Sequence, residues 1–194
     1  NFVTDRRRSS QQGGKVFSFH QKVFQKVFLF HIDHRDKYEG GKRMNIQKFT
    51  QKSVEAINDC EKLAYEYGNQ EIEQEHLLVA LLRQEDGLIP KLIEKMEIQK
   101  EHFVDNAERH LAARVKVSGG QVYVGQDLNK VLVHAEDEAK AMGDEYVSVE
   151  HLFLCLIKYP NKAMKEIFKE YGITRERFFT GVVNGKRKPE SGIR

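Results

Sequence analysis

Sliding the chain against itself until Gln74 meets Val149 lays QEHLLVALLR (Gln74 to Arg83) over VEHLFLCLIK (Val149 to Lys158) without a gap. The register continues on both sides: Gln51 meets Gln126, Glu61 meets Glu136, Ala64 meets Ala139, Gly68 meets Gly143, Ile98 meets Ile173, Glu101 meets Glu176 and Phe103 meets Phe178. A chain made of two copies of one unit has to pack the copies together, because a single small unit rarely buries its own apolar face. Everything else in the sequence is constrained by that duplication.

Each copy reads as helices. Thr50 is placed to cap a first helix in which Val54, Ile57, Cys60, Ala64 and Tyr67 recur every three to four residues, with Gly68 as a left-handed stop. The LLVALL run is too short for periodicity to decide, but its Leu and Ala content, with Glu before and Arg after, suits a helix. A helix apolar all round must be covered on every side, so this run and its copy predict the two central helices. Pro90 fits the first turn of a third helix ending at Met96, and Lys100 to Ala113 a fourth, with Phe103, Ala107, His110 and Leu111 on one face. The expected fold is therefore all-α, an eight-helix pseudo-twofold duplication of a four-helix repeat, with repeat one at 49–113 and repeat two at 124–184. Between them RVKVSGGQVYVG (Arg114 to Gly125) reads as a flexible connection, and residues 185–194 as a linker or tail.

Charge narrows the partners. The net +3 comes from the ends: residues 1–43 hold ten Lys/Arg against four Asp/Glu, leaving 18 basic against 24 acidic residues for 44–185. That acidic balance removes the electrostatic footprint of a nucleic-acid binder. Cys60 and Cys155, both inside helical patterns, read as reduced core thiols and point to a cytoplasmic protein. No apolar run approaches the roughly 18 residues of a membrane span. The segment 1–43 makes a poor signal peptide, its aromatic stretch being broken by Lys22, Gln25 and Lys26. Glu39, Gly40 and Gly41 can be encoded by a purine-rich ribosome-binding sequence placed ahead of Met44, so 1–43 is expected to be a non-native or disordered leader.

Catalytic motifs are missing from the sequence. GVVNGKR (Gly181 to Arg187) has neither the spacing nor the hydroxyl of a phosphate-binding loop. His102 and His110 share a helical face but lie about 12 Å apart, too far for one metal. His76 and His151 each follow a glutamate, and adjacent helical residues point apart, which argues against a Glu-His catalytic pair. A seam between two helical bundles is, however, a common place for a groove that takes extended or helical peptide.

KFTQKSVEAI, NQEIEQEHLLVALL, GGQVYVGQDLNKVLVHAEDEAK and DEYVSVEHLFLCLI closely resemble the N-terminal domain (Clp N motif) of the Clp family of AAA+ unfoldases, of the ClpB disaggregase type, from Met44 to about Val183. The resemblance implies a domain joined by a mobile linker to a ring-forming ATPase and engaging unfolded or aggregated polypeptide for disaggregation and refolding. The alternative it leaves open is adaptor docking in the protease-partnered ClpC or ClpA type. It also implies an AAA+ ring and an Hsp70-type chaperone system as partners, no nucleic acid or membrane, and a monomeric isolated domain. ATP and magnesium belong to modules this chain does not contain, so no enzymatic activity, cofactor or metal is expected here. Carried over residue by residue, the substrate-binding positions are Thr50, Leu132, His134, Asp144, Glu150 and His151. Leu132 would form an apolar floor, and the two histidines would make its margin polar and sensitive to pH.

Overall fold

The computed structural model describes residues 44–117 and 119–186, with side chains followed as far as Gly181. The leader and residues 187–194 of the tail fall outside the described residues, whereas Gly185 and Lys186, expected in the tail, lie within the last helix. Helix α1 spans Gln51–Tyr67, α2 Gln74–Arg83, α3 Leu88–Lys95 and α4 Lys100–Ala112; α5 spans Gln126–Ala141, α6 Val149–Lys158, α7 Lys162–Glu170 and α8 Arg175–Lys186. A single 3₁₀ turn, Ile46–Lys48, leads into α1.

Local chemistry sets these limits. Thr50 accepts the Ser53 N–H at 3.3 Å, and Gly68 closes α1 with φ 71°. Asn161 caps α7 by accepting the Met164 N–H at 2.9 Å. The two copies share their unusual backbone too. Gly68 and its counterpart Gly143 are both left-handed, as are Glu97 and its counterpart Gly172. A non-glycine residue at such a φ is disfavoured by roughly 1–2 kcal/mol, so its presence at Glu97 shows how firmly the turn after α3 is dictated by packing.

Leu77 to Leu82 are all buried, and so are Leu152 to Leu156. At about 1.5–3 kcal/mol per fully buried large aliphatic side chain, α2 and α6 supply much of the folding free energy. Around α6 the rings of Phe153 and Phe178 stack at 5.3 Å and Phe168 lies 5.8 Å from Phe153. Cys60 and Cys155 are buried free thiols; burial pushes both up, Cys155 to about 12, so neither is reactive at neutral pH.

Contacts across the seam come in matched pairs. Helix α1 packs on α6 and α2 on α5; α3 packs on α6 and α2 on α7; α3 packs on α8 and α4 on α7. The α2–α6 contact is its own counterpart, which places the pseudo-twofold axis between the two central helices. Backbone pairing obeys the same exchange. Strand β1 (Glu71–Ile72) runs parallel to β2 (Tyr123–Val124), joining Ile72 to Val124. An isolated parallel bridge joins Val147 to Phe49, which are the repeat counterparts of Ile72 and Val124 respectively. Near the axis the Arg177 guanidinium donates to the Met96, Tyr171 and Gly172 carbonyls, closing the C-terminal ends of α3 and α7 together.

Two expectations change. The connection after α4 is tied down at both ends, with Val117 N–H donating to the Gly68 carbonyl, Tyr123 N–H to the Gln70 carbonyl and Gly125 N–H to the Ile72 carbonyl. On α4, His110 is half exposed and Asn106 takes the buried place among Phe103, Ala107 and Leu111.

Candidate functional site

The histidines of the Glu-His repeats fasten the central helices in place. His76 stands in the first turn of α2, where its Nδ1 accepts the Glu73 N–H at 3.0 Å. That fixes the proton on Nε2, which donates to Asn69 Oδ1 at 3.1 Å in the turn after α1. His151 repeats the arrangement: Nδ1 accepts the Ser148 N–H at 2.9 Å and Nε2 meets Asp144 Oδ2 at 3.0 Å. Each imidazole therefore caps a central helix and clamps it to the turn of the preceding one. Burial, with help from the Arg114 charge, lowers the His76 pKa to about 4, so it is neutral in the folded protein.

Where the helix starts meet the seam, the copies diverge. In repeat one Thr50 caps its own helix; its counterpart in repeat two is Gly125, which has no side chain to offer. Glu73 fills the gap from the other half. Its carboxylate accepts the Leu128 N–H at 3.0 Å and the Asp127 N–H at 3.4 Å at the start of α5, while also accepting the Gln74 N–H at 3.3 Å at the start of α2. Glycine is required opposite it, because a Cβ at Gly125 would lie 1.9 Å from Glu73 Oε1. Burial raises the Glu73 pKa to about 7, with Asp127, Glu71 and Glu75 adding to the rise and the Leu128 N–H opposing it.

The two ends of the seam are consequently different. At one end Glu75 is 5% exposed, held by Arg114 Nη1 at 2.8 Å and by Asn161 Nδ2 at 2.9 Å, while Arg114 Nη2 reaches Glu71 at 3.1 Å. The chain fills this end with its own connector. At the other end the counterpart, Glu150, is half exposed and makes no hydrogen bond or ion pair among the described residues. Around it lie exposed Asp144, the half-exposed Thr50 and Tyr146, which is 49% exposed with Lys48 5.9 Å over its ring. Thr50 N–H donates to the Val147 carbonyl at 2.9 Å, which ties the start of α1 to the segment entering α6.

Of the six positions carried over from the family, the structure gathers Thr50, Asp144, Glu150 and His151 about the start of α6. Leu132 is 1% exposed and belongs to the core, so it offers no apolar floor to the surface; α5 turns this face inward to meet the other helices. His151 is also 1% exposed, spent on capping α6 rather than on lining a groove. His134 lies on α5, stacked 4.8 Å from Tyr159 at the far end of α6 and 3.3 Å from Asp137. Among the described residues no group of three His, Cys, Asp or Glu side chains is arranged to hold a metal, and no helix is long and apolar enough to cross a membrane.

Eight helices among the described residues, with the seam bridged by paired strands, define an all-α class, and comparison with known proteins gives the family. The Clp repeat (R) N-terminal domain model matches residues 48–171, and the chain belongs to that family. Among curated relatives, the chaperone protein ClpB of Nitratidesulfovibrio vulgaris is 44% identical over 140 residues, covering 69% of this chain and 16% of the relative. ClpB of Clostridium tetani is 36% identical over 140 residues, 70% of this chain and again 16% of the relative. The chain thus spans about a sixth of the length of these relatives. The crystal structure of the Hsp104 N-terminal domain from Candida albicans matches with a TM-score of 0.63 at 22% identity, over 73% of this chain and 94% of that one. The N-domain of ClpV from Vibrio cholerae matches at 0.61 and 18% identity, over 78% and 94%.

Proposed function

We propose that this is the N-domain of a ClpB-type chaperone and that it binds unfolded or aggregated polypeptide at the open end of the seam. The observation that carries the reading is the asymmetry of two equivalent ends: Arg114 and Asn161 occupy the carboxylate of Glu75, whereas Glu150 is left to solvent beside Thr50, Asp144 and Tyr146. An extended chain brings backbone N–H groups for such carboxylates and side chains for an exposed ring. A ClpV N-domain of the same fold, 18% identical with a TM-score of 0.60, is described in complex with a VipB peptide, which supports a peptide-binding role for the fold. In the intact protein the captured chain would pass to an ATP-driven ring supplied by other modules, with an Hsp70-type system as a further partner.

Exchanging Glu150 for Ala and Tyr146 for Ser together is expected to weaken binding of a permanently unfolded, reduced and alkylated protein by about ten-fold, or about 1.4 kcal/mol. The melting temperature should hardly move, since both side chains lie on the surface. Fluorescence anisotropy measures the first and circular dichroism the second. Unchanged affinity in the double variant would place the binding surface elsewhere.

A further inference from the structure

We infer that the groove between α4 and the last turn of α7 is a second polypeptide contact, one that receives a cationic side chain, arginine or lysine. It is separate from the seam end described above and does not rest on it.

The groove has a volume of about 700 Å³, with an adjoining recess of about 310 Å³ that shares Arg109 and Glu170. That is ample for one long side chain. Its walls are the rings of Tyr67 and Tyr171, and its rim carries Asp105, Glu108 and Glu170. Tyr171 is held in place, its ring edge-on to Phe103 at 4.9 Å and its hydroxyl donating to the His102 carbonyl at 3.0 Å. The site also lies at the C-terminal end of α7, where the helix dipole favours positive charge. Positive groups are present but outnumbered. Arg83 is committed to Glu108 at 2.9 Å and Glu66 at 3.1 Å, Arg109 lines both recesses, and His102 and His110 stand at the edge. Four carboxylates against two guanidiniums leave the field negative, while Arg83 Nη2 donates to the Tyr67 hydroxyl at 3.1 Å with its guanidinium 5.9 Å from the ring centre, so one cation already reaches that wall.

A second observation points to an incoming donor. Asn106 is 5% exposed and lines the inner recess; its Nδ2 donates to Glu170 Oε2 at 3.0 Å, and its Oδ1 accepts no hydrogen bond among the described residues. A buried carbonyl left unpaired costs about 1–3 kcal/mol; Asn106 Oδ1 is closed to solvent, and an arriving guanidinium or ammonium that draws the exposed Glu170 away from Asn106 opens the way to it and supplies the missing N–H.

The second repeat shows that the fold itself does not demand this chemistry. There Gly181 stands in the place of Asn106, Thr180 in that of Asp105 and, at the exchanged position in the first repeat, Lys95 in that of Glu170. Helix α3 packs directly on the Gly181 backbone, where an added Cβ would lie 3.4 Å from Met96 Cγ.

The test is nuclear magnetic resonance titration of the isotopically labelled 194-residue chain with N-acetyl-arginine amide, and with the neutral isostere N-acetyl-citrulline amide. Saturable shifts at the amides of Asp105, Asn106, Arg109 and Tyr171 are expected with arginine and not with citrulline, weakened about ten-fold in the Asp105→Asn, Glu170→Gln double variant. Both residues are exposed, so the variant keeps the fold, and the amides of Thr50 and Glu150 report the seam independently. Equal shifts with citrulline, shifts with N-acetyl-glutamate amide in place of arginine, or insensitivity to the double variant would each overturn the assignment.

Discussion

Replacing Gly125 by threonine is expected to destabilise the domain by about 3 kcal/mol, in the range of overpacked or uncapped sites. The backbone at Gly125, with φ −73° and ψ 165°, accommodates any residue, so the damage is confined to the side chain it meets. Glu73 would have to withdraw, and three N–H groups at the starts of α2 and α5 would lose their acceptor together. The same threonine becomes harmless once the carboxylate is gone. Thr50 and Ser148 occupy the equivalent pair of positions at the opposite seam end, so Gly125→Thr combined with Glu73→Ser transplants that working arrangement. The double variant is expected to recover to within about 1 kcal/mol of the parent, a coupling that double-mutant analysis by urea denaturation reads directly. Additive losses would show that Glu73 does not bridge the two helix starts.

The second large effect is a dependence on pH that the parent protein conceals. Glu73, raised to about 7, is protonated more readily in the folded chain than in the unfolded one, so its contribution to stability is full below about 4.5 and is lost as pH rises through 7. His76, lowered to about 4, works the other way, contributing fully above about 6.5 and losing its contribution as pH falls toward 4. Between about 4.5 and 6.5 the two slopes, each about 1.4 kcal/mol per pH unit, oppose one another. Glu73→Gln removes one of them. Relative to that variant, the parent should gain roughly 3 kcal/mol as pH is lowered from about 7 to 4.5. Chemical denaturation across this range checks the difference, and a difference of the opposite sign would mean that the two helix starts outweigh burial and hold the carboxylate ionised.

Much of the fold was legible because duplication, apolar density and caps all told the same story. Thr50, Gly68 and the two leucine-rich runs delimit the helices that the structure contains, and the repeat register that pairs Gln74 with Val149 is visible even in the matched left-handed turns. The site was less legible. Leu132 carries the mark of an apolar contact, yet apolar residues on a helix between two bundles are claimed by the core first, and 1% exposure leaves nothing for a partner. His151 shows the same competition between capping and binding, settled in favour of the cap by Asp144 and the Ser148 N–H. Glu73 and Gly125 are hard to single out because each breaks the repeat, and only their joint departure is informative. One copy lacks a cap where the other copy supplies a carboxylate, a compensation readable in the sequence once mismatches between the repeats are paired across the seam. Arg114 was hidden in a connector whose glycines suggested freedom, although its guanidinium is what distinguishes the filled seam end from the open one.

On the function proposed above, two equivalent seam ends have been made unequal, one plugged by the chain and the other open to a client polypeptide. Amide shift mapping of the labelled chain with a permanently unfolded protein tests it most directly. Perturbations should gather at Thr50, Asp144, Tyr146 and Glu150, on a surface of half-exposed and exposed residues around the start of α6. Perturbations gathered instead at Glu71, Glu75 and Arg114, or absent from both ends, would contradict it.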